Sequence, residues 1–464
     1  MTIYFILWIL LLQTIFVNTL FIKIPFGPRF KIKDRELTKR LEYKFTEKEQ
    51  SILKKFNGFY GLIGPDVNIT TISNIFDLFT SDGLINGVFF DNGELTFIKY
   101  FIRTDKLKYE QKNGKIPTHN ILRILFEVLS TMNLLPKILG VSNTALMHFD
   151  NNTYSLYERD VPYKLDIDFK NKKIKTKQKN LIKNIRNFSA HSKTNGTTIE
   201  TIDCDIFKNQ VYYYELDKNF VTTKTHIITT KYLPIIHDFW SSQNKIIFID
   251  SPLAIDYSSV LNTPMPVKLD DSKETIINVF DKTTMEIERY HINESFYIFH
   301  YANSKENETH IDIYASLYDN INFNEVNITG KYRKISIKKN TKLVTIEKNP
   351  ELEVLNIEFP ISYGNRTIFR SIENRVNNGF VICEGMELIK TIEFVDKFIC
   401  GEPAIKKIDN SYYLIAFYFS IFNSKDSHMI IMNLDTYNFL DIPIKEEMGL
   451  GFHSIFIPNS EKII

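Results

Sequence analysis

The sequence predicts an all-β chain whose strands fall into several sheets set around one axis. Three observations carry this reading. Phe (37) and Tyr (24) are abundant among the 464 residues, and aromatic side chains fit the pleated, half-buried surface of a strand. Short apolar runs flank Asn, Asp and Gly turns, as in Gly87–Phe90, Asp91–Gly93 and Leu95–Ile98, and such closely spaced hairpins argue for an all-β sandwich, barrel or propeller. Four histidines, His191, His237, His300 and His453, sit in short strand-like contexts 46, 63 and 153 residues apart. No single helix or loop gathers side chains over such spans, whereas inner strands of sheets around a common axis all end near it.

Residues 1–22 carry no charged side chain, and Tyr4–Leu12 is almost wholly apolar. That is about the 20 residues a membrane-spanning helix needs. The segment reads as an uncleaved signal-anchor, with a cleaved signal peptide or a buried or interfacial helix as alternatives. The expectation is a membrane-associated protein of the secretory pathway or endoplasmic reticulum, or a secreted one. Residues 23–55 are charged and read as a helical lead-in, with helices around Asp34–Leu41 and Glu47–Phe56. From 56 to 464 the pattern is that of a single β domain. Ala145–Phe149 with Thr153–Tyr157, and Met429–Met432 with Phe439–Pro443, repeat the hairpin signal. The exception is 117–137, where Ile121, Leu122, Ile124, Leu125, Val128, Leu129 and Leu134 recur at helical spacing.

The 57 basic and 55 acidic residues leave a net charge of +2, so nothing favours nucleic acid or a strongly charged partner. Cys204, Cys383 and Cys400 are odd in number and lack metal-ligand spacing. Buried free thiols are expected, and a Cys383–Cys400 pair is the open alternative. The chain has no nucleophile elbow, phosphate-binding glycine loop or dinucleotide fingerprint.

Four neutral imidazoles meeting at one point would make a metal site suited to iron, zinc or copper. Structural zinc would be saturated by four ligands, which would leave a non-catalytic scaffold; an octahedral ion would keep two positions open. Ligating imidazoles normally donate their second N–H to a carboxylate or carbonyl. Glu358, between Ile357 and Phe359-Pro360, is an acid whose apolar setting demands such a partner. His119, His148, His226, His291, His310 and His428 read as ordinary core or surface side chains.

Taken in order, these contexts resemble the carotenoid cleavage oxygenase family. The motifs are Ala190-His191, His237-Asp238-Phe239, Phe299-His300 with Asn303, and Gly451-Phe452-His453. Between them, Tyr157-Glu158 with Pro162-Tyr163, Ile357-Glu358-Phe359-Pro360 and Gly401-Glu402-Pro403 follow the family order. The likeness covers roughly residues 50 to 460. It implies a seven-bladed β-propeller with a few helices and long loops capping one face. It implies Fe(II) held by His191, His237, His300 and His453, with no catalytic residue beyond these ligands. Glu158, Glu358 and Glu402 would partner three of the four rings, the first histidine lacking one.

The activity implied is a dioxygenase that splits a C=C bond of an apolar conjugated substrate, a carotenoid or apocarotenoid, into two carbonyl products with O2. Such a substrate lives in membranes. An isomerohydrolase on the same iron site, or a catalytically silent lipid-binding propeller with a structural metal, are the alternatives. Ser192 stands where the family usually has proline, Ser454 where it has glycine, and Asn86 where a histidine is frequent. Phe101 replaces a tyrosine with which stilbene-cleaving relatives engage a phenol, so the resemblance favours carotenoids over phenolic stilbenes. The oligomeric state leaves no signal in the sequence.

Overall fold

The computed structural model describes residues 35–67, 75–114, 139–259, 265–323, 328–372 and 377–459. Seven antiparallel sheets follow one another along the chain. Blade one holds residues 37–101 together with Ser454–Pro458; blades two to seven hold 145–179, 193–229, 240–292, 297–347, 357–395 and 397–443. Leu253–Ile255 and Val267–Leu269 form a separate two-stranded ribbon within the span of blade four. In blades two to seven the strands run in sequence order from one edge to the other. The leading strands of neighbouring blades touch in turn: Trp240–Ser241 meets Tyr297–Glu306, which meets Ile357–Tyr363, which meets Ala404–Ile408. Ala404–Ile408 then meets Ser454–Pro458, which meets Ala145–Phe149. These strands line the axis of the expected seven-bladed β-propeller.

Closure of the ring comes from both ends of the sequence. Ser454–Pro458 pairs antiparallel with Gly58–Pro65, Leu62 opposite Ser454 and Gly58 opposite Pro458. The last described strand thus completes the first blade, which leaves that inner edge with a partner rather than exposed backbone groups.

Each blade buries both faces, so the core is divided among seven interfaces. Phe59, Ile85 and Phe89 of blade one meet Tyr163, Leu165 and Ile174 of blade two. Ile277 and Val279 of blade four meet Ile311, Ile313 and Ile335 of blade five. Tyr60, Val88 and Phe97 meet Ile415, Phe417 and Ile431 across the closure between blades one and seven. An eighth apolar cluster lies in loops and strand ends: Leu78, Leu253, Tyr297, Phe299, Tyr318, Ile321, Phe323 and Phe452, with Phe359 and Leu450 packed against them.

The hairpins expected from the sequence are present, as Gly83–Asp91 with Glu94–Phe101, Ala145–Phe149 with Asn152–Leu156, and Asn423–Asn433 with Phe439–Pro443. Asn92 and Gly93 sit at φ 51° and 85°, and Asp150 and Asn151 at 47° and 58°, the positive values that tight hairpin turns need and these residue types tolerate. The helix expected at 47–56 spans Glu47–Leu53, with Thr46 and Glu49 forming a reciprocal capping box.

The helix expected over Asp34–Leu41 is instead a strand, Leu37–Arg40, paired with Thr96–Lys99 at the edge of blade one. An unpaired sheet edge offers hydrogen bonds that outweigh the weak helical preference of Leu, Lys and Arg. The propeller therefore begins before residue 56, inside the supposed lead-in. The helix expected over 117–137 and the apolar segment 1–22 lie outside the described residues. Among those described, no helix is long and apolar enough to cross a membrane. Cys204, Cys383 and Cys400 are free, and burial pushes the Cys383 thiol up to about 12, which makes it inert.

On blade seven, His428 Nδ1 lies 2.8 Å from Asp441 and Nε2 3.3 Å from Asp426, with its ring stacked on Tyr418. The hydrogen bond to Asp441 raises its pKa against the cost of burial, so the folded chain holds this proton more tightly than the unfolded one. The stabilisation is full below the unfolded value near 6.5 and fades as pH rises through the raised one. His428→Gln is expected to lower the melting midpoint at about pH 5.5 and to leave it nearly unchanged at about pH 9, read by thermal denaturation.

Candidate metal centre

Each of the seven blades delivers one polar side chain to the axis. His191 precedes Lys193–Asn195 of blade three, His237 precedes Trp240–Ser241 of blade four, and His453 immediately precedes the closing strand Ser454–Pro458. His300 lies within Tyr297–Glu306 of blade five, where the register with the next strand shifts between Ile298 and Tyr301. Such a bulge bends the strand and re-aims a side chain. Glu358 sits at a like shift in blade six, between Glu358 and Ile361. Glu158 follows Asn152–Leu156 of blade two. Glu402 occupies the break between Lys397–Ile399 and Ala404–Ile408, two short strands that share one edge of Ser411–Ser420 in blade seven.

The four expected histidines come together, one ring nitrogen from each lying within 4.8 Å of the others. Nε2 of His237 is 3.1 Å from that of His191 and 3.2 Å from that of His300, and His300 Nε2 is 3.2 Å from His453 Nε2. The three expected glutamates stand behind three of the rings. Glu158 is 2.8 Å from His237 Nδ1, Glu358 2.6 Å from His300 Nδ1 and Glu402 3.2 Å from His453 Nδ1. Each carboxylate is itself anchored. Thr144 Oγ1 donates to Glu158 at 3.3 Å, Phe359 N–H to Glu358 at 2.6 Å and Ser454 N–H to Glu402 at 3.2 Å. This last bond uses backbone only, so serine serves where the family usually has glycine.

These contacts orient the rings. A ring that donates from Nδ1 to a carboxylate has a bare lone pair on Nε2. With the rings neutral, the contacts from His237 to His300 and from His300 to His453 set lone pair against lone pair rather than forming hydrogen bonds. That arrangement is unfavourable alone and becomes favourable around a cation, since imidazoles ligating at about 2.1 Å stand about 3.0–3.4 Å apart. Burial, with the other three rings, pushes His191 well below its ordinary pKa, and burial with His453 and His237 does the same to His300. Both rings are thus kept neutral, the ligating form. Burial would raise Glu158, but His237 holds it below the usual range. Burial lifts Glu358 to about 7. This donor set fits a metal ion.

Apolar rings crowd the same centre. Phe299 lies 5.5 Å from His237, and Phe359 lies 5.4 Å from both His300 and His453. Phe359 holds φ at 56°, a left-handed conformation that costs a side-chain-bearing residue on the order of 1–2 kcal/mol. The bulge after Glu358 enforces it and turns the ring to the histidines.

The other described histidines stay away from the centre. His226 stacks on Phe280, while His148, His291 and His310 contact Thr153, Glu274 and Thr309. The sequence reading assigned no role to Phe359, Lys193 or Asp238, although Asp238 directly follows His237 in the motif. Nor did it foresee the hydroxyl net around His191. There Ser189 Oγ accepts from His191 N–H at 3.1 Å, and Ser192 Oγ donates to Ser189 O at 2.7 Å and lies 2.9 Å from the Thr201 hydroxyl. Ser192 thereby ties down a turn that proline usually stiffens in the family.

The profile of the retinal pigment epithelial membrane protein (RPE65) family matches residues 50–377. The chain belongs to this family. Carotenoid 9,10(9',10')-cleavage dioxygenase 1 of Pisum sativum is 27% identical over 292 residues, covering 58% of this chain and 53% of the relative. The Arabidopsis thaliana protein of that name is 25% identical over 300 residues, covering 60% and 54%. The matched region thus spans about half the length of these plant relatives. Among solved structures, a Synechocystis apocarotenoid oxygenase mutant superposes with a TM-score of 0.73 at 16% identity, over 94% of this chain and 98% of that one. At that identity the likeness concerns the fold, and the fold is the same seven-bladed propeller.

Glu358→Gln is expected to weaken metal binding by roughly 10–100-fold, the usual effect of losing a partner behind a ligand, read by chelator competition. His300→Ala is expected to abolish stoichiometric binding, read by elemental analysis of the purified chain.

Proposed function

We propose that this chain is a non-haem Fe(II)-dependent dioxygenase that cleaves a C=C bond of a carotenoid or apocarotenoid into two carbonyl products. The observation that supports it best is the convergence of four imidazoles beside an apolar surround contributed by residues next to those rings and their carboxylate partners. Phe299 precedes His300, Phe452 precedes His453 and Phe359 follows Glu358, and all three belong to one apolar cluster. Iron in an all-nitrogen shell would supply oxygen activation at coordination positions left open by four ligands.

The chain's own groups do the rest. The carboxylates fix each ring's tautomer and orientation. Phe299, Phe359 and Phe452 would hold a polyene by apolar contact and keep water from it. The set offers a conjugated hydrocarbon much surface and few hydrogen bonds, the character expected of a site for an apolar ligand. The names of the plant relatives point to the same substrate class, and a Synechocystis enzyme of this fold is known in a cobalt-substituted form. Phe101 is buried against Leu84 and Leu107 and has no hydroxyl for a phenol, which favours carotenoids over stilbenes. Such substrates partition into membranes, and residues 1–22 would place the enzyme at one.

The test is incubation of the iron-loaded chain with β-apocarotenals in air and without oxygen, with products and O2 uptake followed together. Paired aldehydes or ketones that form only with O2 are expected. Isomerised alcohols without O2 uptake would instead assign the isomerohydrolase reaction. A stoichiometric metal with no turnover of any polyene would reduce the centre to a structural one.

A further inference from the structure

His191 is the one ring of the four with no carboxylate behind it among the described residues, yet its Nε2 stands as close to its neighbour as the others do. The hydroxyl net of Ser189, Ser192 and Thr201 shapes its turn, but all three belong to blade three or its lead-in. They do not fix that turn relative to the other ligands. Placement across blades needs a bond between blades.

Buried Glu200 of blade three joins it to Ser241 and Lys282 of blade four, and one side chain makes such a bond right beside the ligands. Asp238, next to His237, is only 5% exposed. Its Oδ1 accepts from Lys193 Nζ at 2.7 Å and from Phe239 N–H at 2.7 Å, and its Oδ2 accepts from Tyr301 N–H at 3.2 Å. Lys193 is two residues after His191 and Tyr301 one residue after His300. A single buried carboxylate thus ties the ligand-bearing strands of blades three, four and five. Lys193 also lies over the Phe239 ring at 5.3 Å, which holds its ammonium at the junction. All three partners donate, so an acid suits the position and an amide does not. An asparagine would turn an N–H2 group towards Tyr301 N–H or the Lys193 ammonium.

We propose that Asp238, acting through Lys193, is a positioning residue that stands in for the missing carboxylate at His191. This rests on the metal-centre reading. The carboxylates behind His237, His300 and His453 act on the rings themselves, whereas Asp238 acts on the strands that carry them. Losing it leaves all four ligands present but lets the first one drift.

The experiment uses the full chain, stripped of metal and titrated anaerobically with Co(II), whose visible spectrum reports ligand number and geometry. Affinity is read by chelator competition, and the melting midpoint of the metal-free protein is recorded alongside. Wild type is expected to bind one equivalent. Asp238→Asn and Lys193→Met are each expected to weaken Co(II) binding about tenfold and to shift its spectrum in the same way. The double variant is expected to bind no more weakly than the weaker-binding single variant, because the Lys193–Asp238 contact is lost in both. Lys193→Arg, which keeps the charge, is expected to restore affinity and spectrum.

Lys193 is partly exposed, so its variants keep the proposal testable should Asp238→Asn fail to fold. Variants that melt earlier but bind Co(II) with wild-type affinity and spectrum would overturn the proposal and leave the metal centre standing. Losses that add in the double variant would also overturn it. Failure of the wild type itself to bind one equivalent would remove the metal centre and the proposal together.

Discussion

Everything at the axis depends on closing the ring. His453 reaches the centre only because Ser454–Pro458 pairs with Gly58–Pro65, and that pairing joins segments some 400 residues apart in sequence. Sequence separation itself is a small obstacle, since each doubling of a closed loop costs only about 0.6 kcal/mol. On that scale the 153-residue span from His300 to His453 costs about 1 kcal/mol more than the 46-residue span from His191 to His237. What brings the rings together is the packing of seven twisted sheets. Each buries two apolar faces against its neighbours, and none can do so without the ring. The site is therefore a by-product of the core, and loss of an interface such as Tyr60 against Phe417 would reach the ligands without touching them.

Within that frame the blades share the labour. Blades one, three, four and five bring imidazoles, and blades two, six and seven bring the carboxylates that orient three of them. Breaks in regular pairing do the aiming. His300 and Glu358 sit at register shifts, Glu402 lies in a gap between two short strands, and His191, His237 and His453 stand just before strands begin. A fully regular inner strand would send alternate residues into the interfaces between blades, where Ile and Phe pack. Backbone irregularity at the axis is what separates the polar centre from the apolar walls.

The charge balance follows the same division. The rings pack against one another, and the carboxylates sit where an imidazole N–H, a backbone N–H or the Thr144 hydroxyl meets them. Asp238 extends this logic from side chains to strands, accepting three donors from three blades. Phe359 carries it to the apolar side, where strain at its backbone is offset by a ring placed over two ligands.

A good part of this was legible in the sequence. The order of short motifs such as His-Asp-Phe, through its resemblance to a known family, pointed to the four histidines and three glutamates that the structure brings together. Hairpins at 91–93 and 150–151 were legible for the same reason, since tight turns demand residues that tolerate positive φ. The strand Leu37–Arg40 was not. Three of its four residues, Leu37, Lys39 and Arg40, favour a helix, and only the vacant edge of a blade formed elsewhere makes it a strand. Nor could the role of Asp238 be read, because its partners Lys193 and Tyr301 lie 45 and 63 residues away. By itself the sequence determined which side chains serve the centre and what chemistry they bear. The tertiary structure alone decided their distances, their carboxylate partners and the bonds that hold one blade to the next, because those are properties of surfaces that meet only when the ring is closed.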